Sequence, residues 1–402
     1  MSAERGQASG GSRAKRDQWS VTSSGRGLIR VAGVVNAHTH AAMTLFRGYA
    51  DDLPLMEWLE RHIWPAERRL DDEDIYWGTR LACVEMIRTG TVRFWDMYWH
   101  PGAVARAVRD AGLRAIVGAP LIDGGDATAA PALREAALRS LDEIAAEGGG
   151  AAIPSLAPHA IYTVSEESLR WIAETAAERA LPVQIHLSET AGEVERCVAE
   201  RGVRPAAYLD RVGLLGPRTV LAHGVWLDEA ELELVAERGA TVVTNPVANM
   251  KLGVGAVFPY RVARRHGVNL GLGTDGAGSN NSLDLLADVK AFALIQKHAA
   301  GDPAAVTAHE AWEVATGRRS PLIAERGAPP GDETFLLVRG GSPELSLGEL
   351  EAGLVYAASG SVVDTTVVGG RELLRGGAVA GADEVVAKAR ERAARLGLAT
   401  GR

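Results

Sequence analysis

Eight short hydrophobic runs alternate with amphipathic stretches between residues 34 and 275, and this alternation restricts the fold more than any other feature. The runs are Val34–His40, Thr91–Asp96, Arg114–Ile122, Ala151–Pro158, Pro182–Glu189, Thr219–Trp226, Ala240–Pro246 and Val268–Asp275. The amphipathic stretches include Glu166–Arg179, Glu193–Glu200, Asp228–Arg238 and Phe258–His266. Strands that alternate with helices form parallel sheets, because each helix returns the chain to the starting edge. Eight such units predict an α/β fold, a (β/α)8 TIM-type barrel.

The two ends of the chain predict smaller units beside the barrel. Residues 1–26 contain too few hydrophobic side chains to offset the entropy of ordering them, which predicts a disordered leader. The barrel is then expected over residues 27–317. In residues 318–402, short hydrophobic runs alternate with glycines within Glu333–Arg339 and Gly353–Arg375. They predict a small C-terminal β lobe and a terminal helix that pack on the barrel.

Composition excludes several classes of function. The net charge is -8, from 51 acidic and 43 basic residues spread along the chain, so we expect no nucleic acid and no membrane surface as partner. Only Cys83 and Cys197 occur, which excludes a thiolate zinc site and a disulfide framework. The first residues lack the hydrophobic core of a signal peptide, and no run has the length of a membrane span. We expect a cytoplasmic protein that acts on a small molecule and water, with a homo-oligomer left open.

Several of the runs end in side chains that bind hydrolytic metals. His38 and His40 are two residues apart in an extended segment, so both point to the same face and can share one ion. His186, His223 and Asp275 stand at the ends of three further runs. The active site of such a barrel lies at the carboxyl ends of its strands. These five side chains are therefore expected to meet in one site.

The chemistry of such a site follows from its ligands. A catalytic divalent metal keeps three or four His and carboxylate ligands and one open position, where the pKa of a bound water falls to ~7. The set His38, His40, His186 and Asp275 suits this role, and Asp275 can also be the base that takes a proton from the water. A hydroxide formed there can attack an electron-poor ring carbon if a proton reaches the ring nitrogen and the leaving group. Glu189 is the candidate catalytic proton shuttle; the alternative is an acid that merely starts a helix.

These positions also carry a family resemblance. The order of the ligands along the chain resembles the single-metal branch of the amidohydrolase superfamily. Further motifs that carry a resemblance are Leu45-Phe46-Arg47-Gly48, Phe94-Trp95-Asp96-Met97-Tyr98, Ala157-Pro158-His159, His186-Leu187-Ser188-Glu189-Thr190, Asn245-Pro246, Asn249-Met250-Lys251-Leu252 and Gly273-Thr274-Asp275-Gly276. They resemble the methylthioadenosine/S-adenosylhomocysteine deaminases more closely, and guanine deaminases and triazine chlorohydrolases share part of them. The resemblance is dense over residues 27–317 and looser beyond.

The resemblance implies roles for further residues. His223 is expected to be catalytic by hydrogen-bonding the attacking water or the developing oxyanion, and His159 to hydrogen-bond a heterocycle nitrogen. A structural histidine is the alternative for each. Trp58 and Glu67 match positions that bind the substrate, with Glu67 accepting hydrogen bonds from ribose hydroxyls; a solvated helical charge is the alternative for Glu67. Ser279 completes the substrate-binding candidates, together with Glu189.

The number of metal ions follows from the end of the fourth run. Binuclear relatives would carry a bridging lysine there, whereas this chain has Ala157-Pro158-His159. We therefore expect one divalent ion per chain. Zinc is favoured, and ferrous iron also accepts this ligand set.

Two features depart from the resembled pattern. Relatives usually carry a longer β segment before the first metal-binding strand, whereas 37 residues precede His38 here. The lobe is therefore expected to be abbreviated, and what covers the barrel in its place is left open. Relatives that accept S-adenosylhomocysteine tend to place arginines after the third strand. The corresponding residues 118–125 contain none, and the next arginine is Arg134, so a nucleoside with a neutral 5'-group is expected to be the better substrate.

The sequence thus predicts a hydrolase that acts on C–N bonds in cyclic amidines. Its expected reaction is metal-dependent deamination of an adenine-type nucleoside of the methylthioadenosine, adenosine and S-adenosylhomocysteine class. One alternative is hydrolysis of another amino- or chloro-substituted N-heterocycle of the guanine, pterin or triazine type. Another is a barrel that binds a nucleoside or a partner without turnover. Glu189 argues against this last alternative, because a binding site needs no proton shuttle.

Overall fold

Eight parallel strands form the centre of the structure, a computed structural model that describes residues 20–21, 27–325 and 332–398. The strands of these residues are β1 (Ser20–Val21), β2 (Leu28–Val31), β3 (Val34–Thr39), β4 (Thr91–Met97), β5 (Arg114–Leu121), β6 (Ala152–Pro158), β7 (Val183–Leu187), β8 (Thr219–His223), β9 (Thr241–Thr244), β10 (Asn269–Leu272), β11 (Phe335–Arg339), β12 (Val363–Val368), β13 (Arg371–Arg375) and β14 (Ala378–Val379). Strands β3 to β10 pair in chain order in one parallel sheet. The predicted TIM-type barrel is confirmed.

Helices alternate with the barrel strands and cover them. The helices of the described residues, including those that follow the barrel, are α1 (Leu55–Trp58), α2 (Trp64–Glu67), α3 (Asp72–Arg88), α4 (Pro101–Ala111), α5 (Ala130–Gly148), α6 (Glu166–Glu178), α7 (Ala191–Arg201), α8 (Pro205–Arg211), α9 (Glu229–Arg238), α10 (Pro246–Lys251), α11 (Tyr260–His266), α12 (Leu285–Ala300), α13 (Ala308–Ala315), α14 (Pro321–Glu325), α15 (Leu350–Ala352) and α16 (Ala382–Arg395). Ala41–Phe46 and Gly360–Val362 are 3-10 turns, and Leu59–Ile63 and Gly353–Ala357 are π turns. Helices α3, α9 and α13 begin with reciprocal capping boxes at Asp71, Asp228 and Thr307.

Several barrel strands end earlier than the hydrophobic runs predict, and left-handed residues lie at or just after the ends of three of them. The run Pro182–Glu189 forms a strand only as far as Leu187, because Ser188 adopts a left-handed backbone conformation (φ 51°). His223 (φ 73°) and Asp275 (φ 62°) have left-handed conformations where β8 and β10 leave the sheet. Such residues are strained by roughly 1–2 kcal/mol each and concentrate at functional sites. The strain therefore marks the turns that carry the polar side chains.

The first and last barrel strands meet through a side-chain bridge. Asn36 on β3 donates from its side chain to Thr274 Oγ1 (2.7 Å) and accepts from the Thr274 backbone N–H (3.0 Å). The Asp275 N–H also donates to the His38 carbonyl (3.1 Å). These hydrogen bonds form the seam between β3 and β10, which closes the barrel and brings His38 next to Asp275.

The small lobe is an antiparallel sheet that is discontinuous in sequence. Its strand order is β1-β2-β11-β12-β13-β14, so Leu28–Val31, which the sequence analysis assigned to the barrel, supplies a lobe strand. The expected strand character of Gly353–Arg375 begins only at Val363. Before it, Leu354 and Val355 are both buried, a pattern that suits a helical turn rather than the alternation of a strand. The terminal helix α16 packs on α3, where Arg395 pairs with the buried Asp74.

The predicted leader, residues 1–26, lies outside the described residues apart from Ser20–Val21, which pair antiparallel with β2. The helices in the described part of the chain are too short or too polar to cross a lipid bilayer. Cys83 and Cys197 are both buried and free.

Candidate active site

Four of the predicted residues form one cluster at the carboxyl ends of the strands. One ligand atom from each of His38, His40, His186 and Asp275 lies within 4.8 Å of all the others. Asp275 Oδ1 is 3.5 Å from His38 Nε2 and 3.2 Å from His40 Nε2. His38 Nε2 and Asp275 Oδ1 are buried and have no hydrogen-bond partner among the described residues. Orphaned buried atoms of this kind are costly, and a divalent cation bound between them would satisfy both. The cluster therefore fits a metal ion.

The three histidines of the cluster are oriented by hydrogen bonds at Nδ1. The acceptors are the Gln184 side chain for His38 (3.4 Å), the Met97 carbonyl for His40 (2.5 Å) and the His159 carbonyl for His186 (2.8 Å). With an oxygen acceptor at Nδ1, the hydrogen sits there and the Nε2 lone pair is free for a metal. All three rings thus present the atom that a cation needs.

Protonation of the cluster also favours a cation. Burial lowers the pKa of His38 to about 4 and that of His186 well below its usual value, so both are neutral near pH 7. Burial alone would lower the pKa of His40, but contact with the Asp275 carboxylate raises it to about 9. Although burial opposes ionisation, the neighbouring imidazoles hold the pKa of Asp275 well below its usual range. A metal would displace the proton of His40 and take its place beside the carboxylate.

A glycine is required beside the cluster. A Cβ placed on Gly273 would lie 2.7 Å from the His38 carbonyl oxygen and 3.0 Å from His38 Cβ. Contacts this short do not occur between ordinary side chains, so β10 can approach β3 this closely only with glycine here. The Gly273-Thr274-Asp275 motif therefore sets the distance between two ligands.

Glu189 and His223 lie beside the cluster and line one cavity together with His40, His186 and Asp275. Burial and the neighbouring Asp275 carboxylate raise the pKa of Glu189 to about 8. His223 Nδ1 is 3.9 Å from Glu189 Oε1 and donates to Asn249 Oδ1 (2.8 Å). Because this hydrogen bond engages Nδ1, Nε2 is the ring nitrogen of His223 that can contact a bound molecule. Near neutral pH the pair can exchange protons with a bound molecule.

The predicted substrate-binding residues also line this cavity. Glu67 accepts a hydrogen bond from Tyr98 (2.8 Å), and burial raises the pKa of the Glu67 carboxyl. Trp58 is buried in the wall. His159 has Nδ1 2.9 Å from Thr163 Oγ1, and its ring is 4.8 Å from that of His186.

Ser279 is placed differently from the other candidates. Its hydroxyl donates to Asp275 Oδ2 (2.7 Å), which turns the other carboxylate oxygen toward the histidines. Ser279 is thus engaged with a metal ligand, although it also lines the cavity.

A second, more open cavity continues from the first. Trp64, Glu67, Trp99 and Ile122 line both, and Arg68 and His100 line the outer cavity only. Arg134, the first arginine after the third barrel strand, donates to Ser168 (3.0 Å) and Glu167 (3.0 Å). The outer cavity, by contrast, is lined by an arginine, Arg68.

Sequence reasoning missed the residues that orient the cluster. Gln184 precedes His186 by two positions on the same face of β7, and a polar residue inside a buried strand could have identified it. Asn249, Tyr98 and Glu193 hold residues beside the cluster rather than the cluster itself, and the periodicity of the sequence does not indicate their contacts.

Comparison with known proteins agrees with this geometry. Residues 29–317 match the model of the Amidohydrolase family. A 5'-deoxyadenosine deaminase of Methanoregula boonei is 46% identical over 92% of this chain and 85% of its own length. A 5-methylthioadenosine/S-adenosylhomocysteine deaminase of Archaeoglobus fulgidus is 43% identical over 91% of this chain and 88% of its own length.

Solved structures show the same fold. An adenosine deaminase from Xanthomonas campestris with bound zinc superposes with a TM-score of 0.84 at 35% identity, over 92% of this chain and 86% of that one. An atrazine chlorohydrolase from Arthrobacter aurescens with zinc has a TM-score of 0.82 at 19% identity, over 92% of this chain and 89% of that one; this likeness is evidence for the fold alone. The family match over most of the chain and the close relatives establish that this protein belongs to the amidohydrolase family.

Proposed function

We propose that this protein is a zinc-dependent hydrolase that deaminates an adenine nucleoside and releases ammonia. The observation that carries the proposal is one cavity that joins the His38/His40/His186/Asp275 cluster and Glu189 at its inner end to Glu67 farther out. The inner end suits a ring with an amino leaving group, and the half-buried Glu67 carboxylate suits ribose hydroxyls. The names of the deaminase relatives and the zinc of the Xanthomonas structure support this assignment.

The proposed mechanism divides the proton transfers between two carboxylates. His38, His40, His186 and Asp275 would hold a divalent ion, which when bound would supply a Lewis acid and lower the pKa of the attacking water. Asp275 accepts the proton that the water loses. Glu189, with a pKa raised to about 8, delivers its proton to the ring nitrogen, then takes the proton of the hydroxyl group added at the ring carbon and passes it to the departing amine as the C–N bond breaks. The proton held by Asp275 returns to Glu189 and restores both carboxyl groups. His223 hydrogen-bonds the attacking water through Nε2, because Asn249 holds its Nδ1 hydrogen.

The remaining candidates orient the substrate. His159 hydrogen-bonds a ring nitrogen, Trp58 covers the ring, and Glu67 accepts from the ribose hydroxyls with its carboxylate steadied by Tyr98. Ser279 keeps Asp275 turned toward the histidines. Cytoplasmic location, one ion per chain and the oligomeric state stay predictions.

An ammonia-release screen of the zinc-reconstituted protein tests the function. The substrates are adenosine, methylthioadenosine, S-adenosylhomocysteine, free adenine and guanine, with chloride release followed for chlorotriazines. His38→Ala, treated identically, is the control for contaminating deaminase. We expect turnover of the adenine nucleosides. Turnover of only guanine or a triazine would replace the proposal by the other-heterocycle alternative, and binding of nucleosides without turnover of any substrate would indicate a non-catalytic barrel.

The same screen compares the 5'-groups. Because Arg134 is engaged with Ser168 and Glu167, methylthioadenosine and adenosine are expected to exceed S-adenosylhomocysteine in kcat/KM. Arg68 lines the outer cavity, so Arg68→Gln is measured beside Arg69→Gln, a neighbour that does not line it. A selective loss of S-adenosylhomocysteine turnover in Arg68→Gln would show that the outer cavity holds the charged tail.

A further inference from the structure

The helix that follows Glu189 begins with an unusual cap. Thr190 caps α7 in the ordinary way, accepting from the Glu193 N–H (3.3 Å). An acid at this third helical position normally accepts in return from the N–H of the capping residue. That reciprocal bond is present in α3, α9 and α13. In α7 the Glu193 carboxylate instead accepts from the Ser188 N–H (Oε1, 2.9 Å) and from the Glu189 N–H (Oε2, 2.9 Å).

These two bonds hold the turn from which the Glu189 side chain extends. Strand β7 ends at Leu187, and Ser188 has a left-handed backbone conformation that is unfavourable for a serine. The Ser188 carbonyl is fixed from the other side by the Trp226 N–H (2.8 Å). With both N–H groups on one carboxyl group, neither peptide plane can rotate without breaking a hydrogen bond to Glu193.

Burying the Glu193 carboxylate costs free energy of folding. Glu193 is only 4% exposed, and burial raises its pKa to about 8. Glu310 at the same position of α13 completes an ordinary capping box, and its pKa is lowered by hydrogen bonds with Thr307 despite partial burial. An ordinary cap would therefore stabilise α7 at lower cost, which indicates that the Glu193 arrangement serves the turn rather than the helix.

We propose that Glu193 is a positioning residue for the reaction: its carboxylate fixes the Ser188–Glu189 turn and so aims the Glu189 carboxyl at the reacting atoms. Glu193 itself does not line the catalytic cavity. A small displacement of Glu189 lengthens its proton-transfer distance without altering substrate contacts elsewhere. Such a displacement should therefore lower kcat more than it changes KM. The kinetic part of the proposal rests on the proposed deaminase function.

The test compares Glu193→Gln with Glu310→Gln, which disturbs a cap remote from the site. The amide introduced by Glu193→Gln offers one accepting oxygen, so at least one of the two N–H groups loses its partner. We expect kcat to fall roughly 10²-fold in Glu193→Gln, with zinc content and KM little changed. Glu310→Gln should keep wild-type kcat even if its melting temperature falls.

A double variant separates positioning from general damage. If Glu193 acts only through Glu189, adding Glu193→Gln to Glu189→Gln should cause no further loss of kcat. Multiplied losses in the double variant, or an equal loss in Glu310→Gln, would overturn the proposal.

A readout without turnover keeps this proposal distinct from the proposed function. Hydrogen exchange of the Ser188 and Glu189 amides should accelerate in Glu193→Gln and remain unchanged in Glu310→Gln. If wild type deaminates no nucleoside, the proposed function fails, and this exchange still decides whether Glu193 holds the turn. Unchanged exchange in Glu193→Gln would overturn the proposal whatever the activity.

Discussion

At the scale of single residues, the site is built from pairs in which one side chain fixes the atom that another presents. Gln184, the Met97 carbonyl and the His159 carbonyl hold the Nδ1 hydrogens of three histidines. Ser279 fixes one oxygen of Asp275 and leaves the other free. Such orientation removes rotamer and tautomer choices before a ligand binds, which is the usual role of groups behind metal ligands.

The role of Glu189 can be tested by an isosteric change. Glu189→Gln keeps the size of the side chain but cannot carry a proton, so kcat should fall by at least ~10²-fold while zinc is retained. Kinetics and elemental analysis of the same preparation check both. Turnover like that of wild type would refute the shuttle, and loss of zinc would show that Glu189 helps to hold the metal.

Sequence alone identified the ligands because strand parity and barrel geometry place His38, His40, His186 and Asp275 at one edge. It could not identify Gln184 as the partner of His38 or Asn249 as the partner of His223, since those contacts depend on how neighbouring strands and loops pack. It also extended the strands too far, because nothing local to Ser188 or His223 signals a left-handed backbone.

At the scale of elements, the segment after β3 lines one side of the cavity. A 3-10 turn, α1, a π turn and α2 follow one another from Ala41 to Glu67 and carry Trp58 and Glu67 to the site. The change between helix types has no periodic signature in the sequence, so it could not be predicted. The π turn is consistent with the functional bulges that interrupt helices elsewhere.

Glu67 gives this element a measurable role. Removing it as Glu67→Ala should lower kcat/KM for adenosine by an amount equivalent to roughly 1–3 kcal/mol, the scale of a lost hydrogen bond to a charged group. Free adenine, which has no ribose, should be a poor substrate and should not respond. Glu60→Ala, an exposed acid of the same segment, is the matched control. Equal losses for adenosine and adenine would mean that Glu67 does not contact the ribose.

Asp123, in the loop after β5, is expected to make a pH-dependent contribution to the stability of the folded protein. Asp123 accepts from Gly125 N–H (3.0 Å), Ser165 N–H (2.8 Å) and the Ser165 hydroxyl (2.6 Å). Burial opposes ionisation, but the hydrogen bonds from Ser165 lower the pKa of Asp123 in the folded protein. The unfolded state therefore binds the proton more readily, and the stabilisation is present above the unfolded pKa of ~3.9 and lost as pH falls through the folded pKa.

Asp123→Asn should accordingly reduce the free energy of unfolding by about 2 kcal/mol at pH 7. The difference from wild type should shrink as the pH is lowered below ~4. Urea unfolding over a pH series measures it, with the exposed Asp142→Asn as control. A difference that stays constant down to the lowest pH would show that the carboxylate charge contributes nothing.

At the scale of the whole molecule, the metal cluster lies across the closure of the barrel. His38 lies on the first barrel strand and His40 directly follows it, Asp275 follows the last strand, and His186 comes from β7 on the far side of the sheet. The seam between β3 and β10 is otherwise bridged by Asn36. An ion at the cluster would therefore join the two ends of the sheet, and metal binding and barrel stability should be coupled.

Metal removal tests this coupling. A ligand that binds only the folded state stabilises it by about 4 kcal/mol when its free concentration is a thousandfold above Kd. Chelation should therefore lower the melting temperature by several degrees and return buried His38 Nε2 and Asp275 Oδ1 to their unpaired state. Zinc should restore the original value at one ion per chain. His38→Ala should melt at the same temperature with or without chelator, because its cluster has lost a ligand. Two ions per active chain would contradict the single-metal site, and a melting temperature indifferent to chelation in wild type would show that barrel closure does not depend on the ion.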